Sequence, residues 1–383
     1  MPVRWGRARP EIKRRRGVAV AAALCALVAA CAPGRAFDTA RALAGLAGGP
    51  EADEAAVTRR SIAYRIEGRA RSGDLYEPAE GQGAALVLVP GVAPAGKDDP
   101  RLVAFARTLA RARFTVLVPD IAGLRELRVG AGDIRAAADA MRYLARDGTA
   151  RTVAICGISY AAGPALLAAL EPEVRPHVRF VLAIGGYHSM EALLTYVTTG
   201  AYRPAAGEAW RFGEPNPYGR WAFLKANAHR VTGARDRALL IAIAERRIRD
   251  GAAPVDDLVA RLDADGAAVW ALMANRDPDR VPALIEALPA ALREQMRALD
   301  PSRRDLAGRA PTLVLVHGRD DRIIPYTESA ALAAAAGADA HVYLVDSLAH
   351  VDLALGGIGD AITVWRAIYR LLSERDEMVA GTR

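Results

Sequence analysis

The sequence has few cysteines, few aromatic residues and no long apolar segment near its start. The cysteine count and the length of the apolar segment each exclude a class of protein. Only Cys25, Cys31 and Cys156 occur among 383 residues, which excludes a small scaffold held together by disulfides. An apolar run from Gly17 to Ala30 has 14 residues, whereas a helix that spans a bilayer needs about 20. Because 52% of the residues are hydrophobic and 25% are charged, a globular fold is expected.

Motifs for metals, nucleotides and nucleic acids are also missing. There is no cluster with metal-ligand spacing and no phosphate-binding glycine loop, and Gly185-Gly186 alone is not a dinucleotide fingerprint. We therefore expect no cofactor and no metal. The net charge of +7 is concentrated at the start, since residues 1–30 hold seven basic residues and one acid, leaving 44 basic and 43 acidic residues elsewhere. A nucleic-acid partner is therefore not expected.

The N-terminal residues have the form of an export signal. A basic region ends at Arg16, and the apolar run that follows has a length typical of a signal peptide. Its last residues, Leu27-Val28-Ala29-Ala30-Cys31, resemble a bacterial lipobox. That resemblance implies cleavage before Cys31, lipid attachment to its thiol, and a membrane-anchored lipoprotein of the cell envelope. An ordinary cleaved signal and an uncleaved anchor remain alternatives, and all three place the body outside the cytoplasm.

The rest of the chain predicts an α/β fold with a mostly parallel, doubly wound sheet. Residues 32–57 are expected to form a tether and 61–77 a β-hairpin. Consecutive apolar residues, typical of strands buried on both faces of a parallel sheet, then alternate with helical segments as crossovers require. These runs are Ala84–Val89, Phe114–Val118, Thr152–Cys156, Phe180–Ile184, Thr312–Val316 and His341–Val345. The predicted helices include Pro100–Arg111, Asp133–Arg146, Tyr160–Leu170, Pro282–Leu299 and Ala361–Leu372, with Asp133 as an N-cap.

One interval between strands is too long for a crossover. Residues 187–309 separate the run at Phe180 from the run at Thr312, and they are expected to form an inserted helical cap. The catalytic domain would then comprise residues 58–186 and 310–383. The cap holds a cluster of aromatic residues, which could line a substrate pocket or simply pack the cap on the body. They are Trp210, Phe212, Tyr218, Trp221 and Phe223.

The motif that carries the most chemical information surrounds Ser159. A buried strand leads into Gly157-Ile158-Ser159, and a helix follows. This is the arrangement of a nucleophile elbow, a tight turn that exposes the serine hydroxyl at the carboxyl edge of a sheet. Such a turn needs small neighbours: Gly157 fulfils this two residues before the serine, while Ala161 stands two residues after it, where the motif has glycine.

Two later motifs follow strands in the order that a catalytic triad needs. In Val314–Pro325, Gly318 is followed three residues later by Asp321, with Asp320 as the alternative acid. In Leu344–Asp352 a short loop after the last strand carries His350. A serine hydroxyl needs an adjacent base, imidazole has the suitable basicity, and a carboxylate holds the imidazole in the correct tautomer.

Together these motifs resemble the α/β-hydrolase superfamily over roughly residues 60–186 and 310–375. The resemblance implies a triad of Ser159, Asp321 and His350, with an oxyanion hole formed by the backbone N–H groups of Tyr160 and Val92. Three positions depart from the family pattern. Ala161 and Ala349 replace glycine, and Pro90 stands where histidine is frequent.

The function expected from this resemblance is a carboxylic-ester hydrolase that acts through an acyl-enzyme. Its partner would be a small-molecule ester, and no protein partner is expected. Two alternatives remain open at this point. The same triad could cleave amide or peptide bonds, or the departures at Pro90, Ala161 and Ala349 could mark an exported, non-catalytic lipoprotein with a hydrolase fold.

Overall fold

The computed structural model describes most of the chain after the N-terminal segment. The described residues are 33–46, 56–79, 83–128, 130–146, 151–205, 207–346, 348–349, 352–353 and 357–380. The predicted signal segment with Cys31, and the predicted base His350, lie outside these ranges.

Eight strands form one sheet, which confirms the predicted fold class. Their order across the sheet is β1-β2-β4-β3-β5-β6-β9-β10. The first two form an antiparallel hairpin at one edge, β2 pairs antiparallel with β4, and all later pairs are parallel. The strands are β1 Val57–Ile66, β2 Arg69–Pro78, β3 Ala84–Val89, β4 Phe114–Pro119, β5 Val153–Ile158, β6 Val178–Ile184, β9 Thr312–Gly318 and β10 Ala340–Val345.

The central strands are buried on both faces, as their consecutive apolar residues predict. Every residue of β3 and β4 is buried, which only a sheet covered by helices on both sides allows. The helices of the body are α1 Pro33–Leu46, α2 Pro100–Arg111, α3 Ala122–Arg125, α4 Ala131–Arg146, α5 Ala162–Ala169, α13 Thr327–Ala336 and α14 Ile358–Ala380. Among the described residues, no helix has the length and apolar character needed to cross a membrane.

Seven helices and a short hairpin fill the long interval between β6 and β9. The helices are α6 Met190–Thr199, α7 Pro217–Asn227, α8 Ala234–Arg249, α9 Asp256–Val259, α10 Ala264–Ala274, α11 Val281–Glu286 and α12 Ala290–Ala298, and the hairpin joins β7 Ala201–Tyr202 to β8 Arg211–Phe212. Their apolar residues belong to the same core as those of α4 and α5. The insertion therefore shares the hydrophobic core on one side of the sheet.

The segment expected to be a tether begins instead with a packed helix. In α1, Ala36, Thr39, Ala42 and Leu43 are buried, and alanine favours a helix wherever packing supports it. Helix α1 lies on α14, where Arg35 pairs with Asp376 at 2.7 Å and Arg375 pairs with Asp38 at 3.0 Å. Residues 33–46 are therefore part of the packed structure, before the predicted boundary at residue 58.

Two predicted helix boundaries also differ from the structure. The segment Pro282–Leu299 splits into α11 and α12 because Pro289, directly before α12, has no N–H to continue a helix. Helix α4 begins at Ala131, so Asp133 is not its N-cap. Its carboxylate instead reaches back to accept the N–H of Gly130 at 2.7 Å, as the acidic member of a capping box does.

A buried carboxylate on α4 forms ion pairs with two arginines of β2, at the antiparallel edge of the sheet. Asp139 is completely buried and accepts hydrogen bonds from Arg69 at 2.9 and 3.0 Å and from Arg71 at 2.9 Å. Burial alone would raise the pKa of Asp139, but the two guanidinium groups lower it below its ordinary value. These ion pairs therefore stabilise the fold at pH values above about 4, the pKa of an aspartate in the unfolded chain. The stabilisation is lost as the pH falls through the lower pKa that Asp139 has in the folded protein.

We expect Asp139→Asn to lower the free energy of unfolding by about 2 kcal/mol at pH 7, because it leaves two half-exposed arginines without their carboxylate. Urea unfolding measured from pH 7 down to pH 3 should show this deficit shrinking below about pH 4. Glu77→Gln is the matched control, since the Arg60–Glu77 pair is exposed and should contribute under about 0.5 kcal/mol. An equal effect of both variants would contradict this account.

Candidate active site

Ser159 lies at a strained turn between β5 and α5. The strand ends at Ile158, and Ser159 has a φ of 56°, in the left-handed region that residues other than glycine rarely adopt. A short 3₁₀ turn, Ser159–Ala161, leads into α5. Holding a serine in this conformation costs about 1–2 kcal/mol, and such strain is concentrated at functional sites. The backbone therefore has the form of a nucleophile elbow.

Close packing around the turn explains its small residues. A Cβ on Gly157 would lie 2.6 Å from the Cα of Ala162 and 2.7 Å from the Cβ of Ala165, so the strand and α5 touch through backbone. A Cβ on Gly163 would lie 2.3 Å from the hydroxyl oxygen of Tyr187. Ala161 is fully buried, so its departure from the motif's glycine is accommodated as a packed methyl group.

The two N–H groups expected to form the oxyanion hole belong to adjoining segments. Val89 on β3 pairs with Gly157 on β5, so the loop after β3 begins beside the elbow. A Cβ on Gly91 would lie 3.9 Å from the carbonyl oxygen of Ile158. Among the backbone hydrogen bonds of the described loops, none has the N–H of Val92 or Tyr160 as its donor. N–H groups at the start of a helix are suited to binding an anion.

Asp321 is held firmly at the carboxyl end of β9. It is 5% exposed, and its Oδ1 accepts the N–H groups of Ile323 at 2.7 Å and Ile324 at 3.0 Å. Asp320, the alternative acid, is exposed. Since β9 is separated from β5 only by β6, Asp321 and Ser159 follow strands about 10 Å apart on the same edge of the sheet.

A buried histidine that the sequence motifs did not indicate lies against Asp321. His317 is completely buried. Its Nε2 is 3.0 Å from the carbonyl oxygen of Ile324 and 3.4 Å from Oδ2 of Asp321, and its Nδ1 is 2.7 Å from Oγ of Ser329. Each ring nitrogen therefore has a protein partner.

The predicted base His350 lies outside the described residues, but the segments on either side of it are placed. Leu348–Ala349 (β11) pairs antiparallel with Asp352–Leu353 (β12). Leu348 is buried, and a Cβ on Gly318 would lie 1.9 Å from the carbonyl oxygen of Leu348. The segment that leads to His350 is thus packed against the end of β9, three residues before Asp321.

A buried carboxylate that sequence reasoning missed fixes the loop after β6. Glu328, in the first turn of α13, accepts the N–H groups of His188 at 3.0 Å and Ser189 at 2.8 Å. Burial raises the pKa of Glu328 to about 7, because its effect is larger than the lowering of the pKa by these two hydrogen bonds. No sequence motif marks Glu328, because its partners lie far away in the chain.

The aromatic residues of the insertion divide into two groups. Trp221 is buried and stacks on Trp270 with ring centroids 6.2 Å apart, so it packs the insertion. Phe212 and Tyr218 are more than half exposed. Trp210 lies under the guanidinium of Arg203 at 3.8 Å and donates to Asp279.

Ser159 lines neither of two cavities found in the described part of the structure. One, of about 390 Å³, lies beside the start of α4, and Asp120 and Asp133 line it. The other, of about 330 Å³, lies between the start of α6 and helices α11 and α12, and Met190 and Met296 line it. Met190 also contacts the hydroxyl of Tyr160 at 3.8 Å. Met190 therefore contacts both the second cavity and the residue after Ser159.

The described residues contain no cluster of side chains that could hold a metal ion. Cys156 is a buried free thiol, and burial raises its pKa. The groups gathered at this edge of the sheet are thus a hydroxyl, a fixed carboxylate and backbone N–H groups. They suit nucleophilic acyl transfer.

Comparison with solved structures identifies the fold. A candidate hydrolase from Legionella pneumophila subsp. pneumophila is 15% identical, with a TM-score of 0.54 over 87% of this chain and 94% of that one. A ligand-bound form of the rice cell wall degrading esterase LipA from Xanthomonas oryzae is 17% identical, with a TM-score of 0.50 over 89% and 95%. No protein-family model and no curated protein sequence matches the chain. The chain has the α/β-hydrolase fold.

We expect Gly157→Ala to disrupt the elbow, since the added methyl group would overlap the backbone of α5. Covalent labelling of Ser159 by a fluorophosphonate should fall at least about tenfold, as small displacements of a reacting group are costly. Gly132→Ala in α4 is the control, because its Cβ would meet nothing within 4 Å, and labelling should be unchanged. Normal labelling of Gly157→Ala would contradict the packing described.

Proposed function

We propose that the chain is a serine hydrolase that cleaves carboxylic esters, with Ser159 as nucleophile, His350 as base and Asp321 as the acid that orients the base. The observation that carries the proposal is the left-handed turn at Ser159, at the start of a helix and at the same sheet edge as Asp321. A serine held in this strained conformation suits a nucleophile.

In this proposal the chemistry proceeds through an acyl-enzyme. Ser159 Oγ attacks the ester carbonyl carbon while its proton passes to His350, and the carbonyl oxygen gains negative charge. The N–H groups of Tyr160 and Val92 stabilise that charge. Collapse of the tetrahedral intermediate breaks the bond to the alcohol, which takes the proton from His350. A water activated by the same histidine then releases the acid and restores Ser159.

The charge balance of the triad explains why Asp321 is buried and fully oriented. His350 would become cationic when it takes the serine proton, and a fixed carboxylate stabilises that cation without rearranging. The two backbone N–H groups on Oδ1 of Asp321 fix the position of the carboxylate.

An ester is favoured as substrate by the likeness to the LipA esterase, over 89% of this chain. What that esterase degrades is a property of that protein. The cavity beside Met190 and Met296 adds partly apolar walls, which suit the acyl or alcohol part of a small ester.

The proposal is tested by labelling and kinetics on the same preparation. We expect a fluorophosphonate to modify Ser159, and Ser159→Ala to lose both labelling and hydrolysis of short p-nitrophenyl esters by at least about 10⁴-fold. Matched p-nitroanilides measured in parallel separate esterase from amidase activity, and a higher kcat/KM on the anilides would overturn the ester assignment. Folded protein without any labelling would overturn the proposal itself.

We also propose that the protein is exported and anchored by a lipid on Cys31. The support is the basic and apolar segment that ends at this cysteine. Metabolic labelling with a radioactive fatty acid should mark the wild type and Cys25→Ser but not Cys31→Ser, and Cys31→Ser should leave the membrane fraction. Equal labelling of Cys31→Ser would contradict the anchor.

A further inference from the structure

His317 occupies a position that links the acid loop to the body of the protein. It is the second-last residue of β9, and its ring is completely buried. The partners of the ring come from two other segments: Ile324 in the loop after β9 and Ser329 in α13. A buried polar ring with defined partners restricts the segments it joins, since each lost hydrogen bond would leave a polar group unsatisfied.

The partners determine which ring nitrogen carries hydrogen. A carbonyl oxygen can only accept, so the Nε2–H of His317 donates to the carbonyl of Ile324. In the neutral ring Nδ1 is then an acceptor, and the hydroxyl of Ser329 is its donor at 2.7 Å. The carbonyl of Ile324 thus sets the tautomer of the ring, and the hydroxyl of Ser329, which can donate or accept, holds Nδ1 in place.

The backbone of Ile324 connects the ring of His317 to the carboxylate of Asp321. Ile324 gives its carbonyl to His317 and its N–H to Oδ1 of Asp321 at 3.0 Å. The position of the ring therefore determines the position of the group that orients the carboxylate. In addition, Nε2 lies 3.4 Å from Oδ2 of Asp321, so the hydrogen-bearing edge of the ring also faces the negative charge.

We propose that His317, held in place by the carbonyl of Ile324 and the hydroxyl of Ser329, is a positioning residue for Asp321. The inference rests on the proposed function, in which Asp321 orients the base. His317 fixes the rotation of the carboxylate through Ile324 and stabilises its charge at Oδ2. The acid of the triad is then supported by a second imidazole that never meets the substrate.

Other contacts on the loop restrain its backbone and not the carboxylate. The hydroxyl of Tyr196 donates to the main-chain carbonyl of Asp321 at 3.5 Å. The N–H of Asn216 donates to the carbonyl of Arg322, and the guanidinium of Arg322 binds the carbonyl of Glu214. The loop can therefore stay in place when His317 is altered, while the carboxylate loses the contact at Oδ2 and the support of the carbonyl of Ile324.

The test compares three variants at this site by steady-state ester hydrolysis. His317→Leu removes the ring contacts, His317→Gln retains an amide N–H that can reach the carbonyl of Ile324, and Ser329→Ala removes the hydroxyl that holds Nδ1. Thr39→Val is the matched control, because it deletes a buried hydroxyl that binds Arg35 in α1. Active enzyme is counted in each preparation by fluorophosphonate titration, so that loss of folded protein is not mistaken for slower chemistry.

We expect kcat per active site to fall about 10- to 100-fold in His317→Leu and about fivefold in Ser329→Ala, with KM nearly unchanged. His317→Gln should recover most of the loss. The acidic limb of the kcat/KM profile should move to lower pH by about half a unit in His317→Leu, since a displaced carboxylate stabilises the imidazolium of the base less. Thr39→Val should change neither quantity.

Asp321→Asn, measured in parallel, separates the two proposals. If Asp321→Asn keeps full activity, the proposed triad is wrong and the role of His317 falls with it. If Asp321→Asn loses activity by about 10⁴-fold while His317→Leu keeps the wild-type kcat and acidic limb per active site, only the inference about His317 is overturned. An equal loss of kcat in both His317 variants, with the acidic limb of the kcat/KM profile unmoved, would also overturn the inference about His317. That pattern indicates a merely structural residue.

Discussion

The close contact between β5 and α5 is the constraint on which the rest of the structure depends. Ser159 can stay in a left-handed conformation only if the chain on both sides of it is fixed, and Gly157 allows this by letting the strand touch the backbone of the helix. The same packing continues from α5 to Tyr187 through Gly163. Tyr187 in turn donates to the carbonyl of Leu299 at the end of the insertion. The insertion and the elbow are therefore parts of one packed unit.

This dependence explains how much of the site the sequence alone could predict. The elbow is local: a strand, a small residue, a serine and a helix stand next to one another in the chain, so their pattern indicates the geometry. The sheet was predicted for a similar reason, since strands buried on both faces are apolar without interruption. Asp321 was predicted from its place three residues after Gly318 in the sequence. The structure adds that Asp321 is buried whereas Asp320 is exposed.

The features that sequence reasoning missed all depend on contacts between distant segments. Helix α1 looked like a tether because its alanines are equally common in linkers, and only its packing on α14 distinguishes the two. Glu328 binds N–H groups about 140 residues earlier in the chain. No motif marks His317, and its contact with Asp321 requires the loop to fold back. Such closures are set by tertiary packing, which residue patterns do not encode.

The position of α1 also changes what an N-terminal anchor would do. Only Ala32 separates Cys31 from Pro33, the first residue of a helix fixed to α14 by Arg35 and Arg375. Two residues of chain reach at most about 7 Å, so a lipid on Cys31 would hold the body directly against the membrane surface. A tether through residue 57 would instead have let the body turn freely. The proposed anchor would therefore restrict how the sheet edge with Ser159 faces its surroundings, and the ion pairs between α1 and α14 would transmit that restriction to the body.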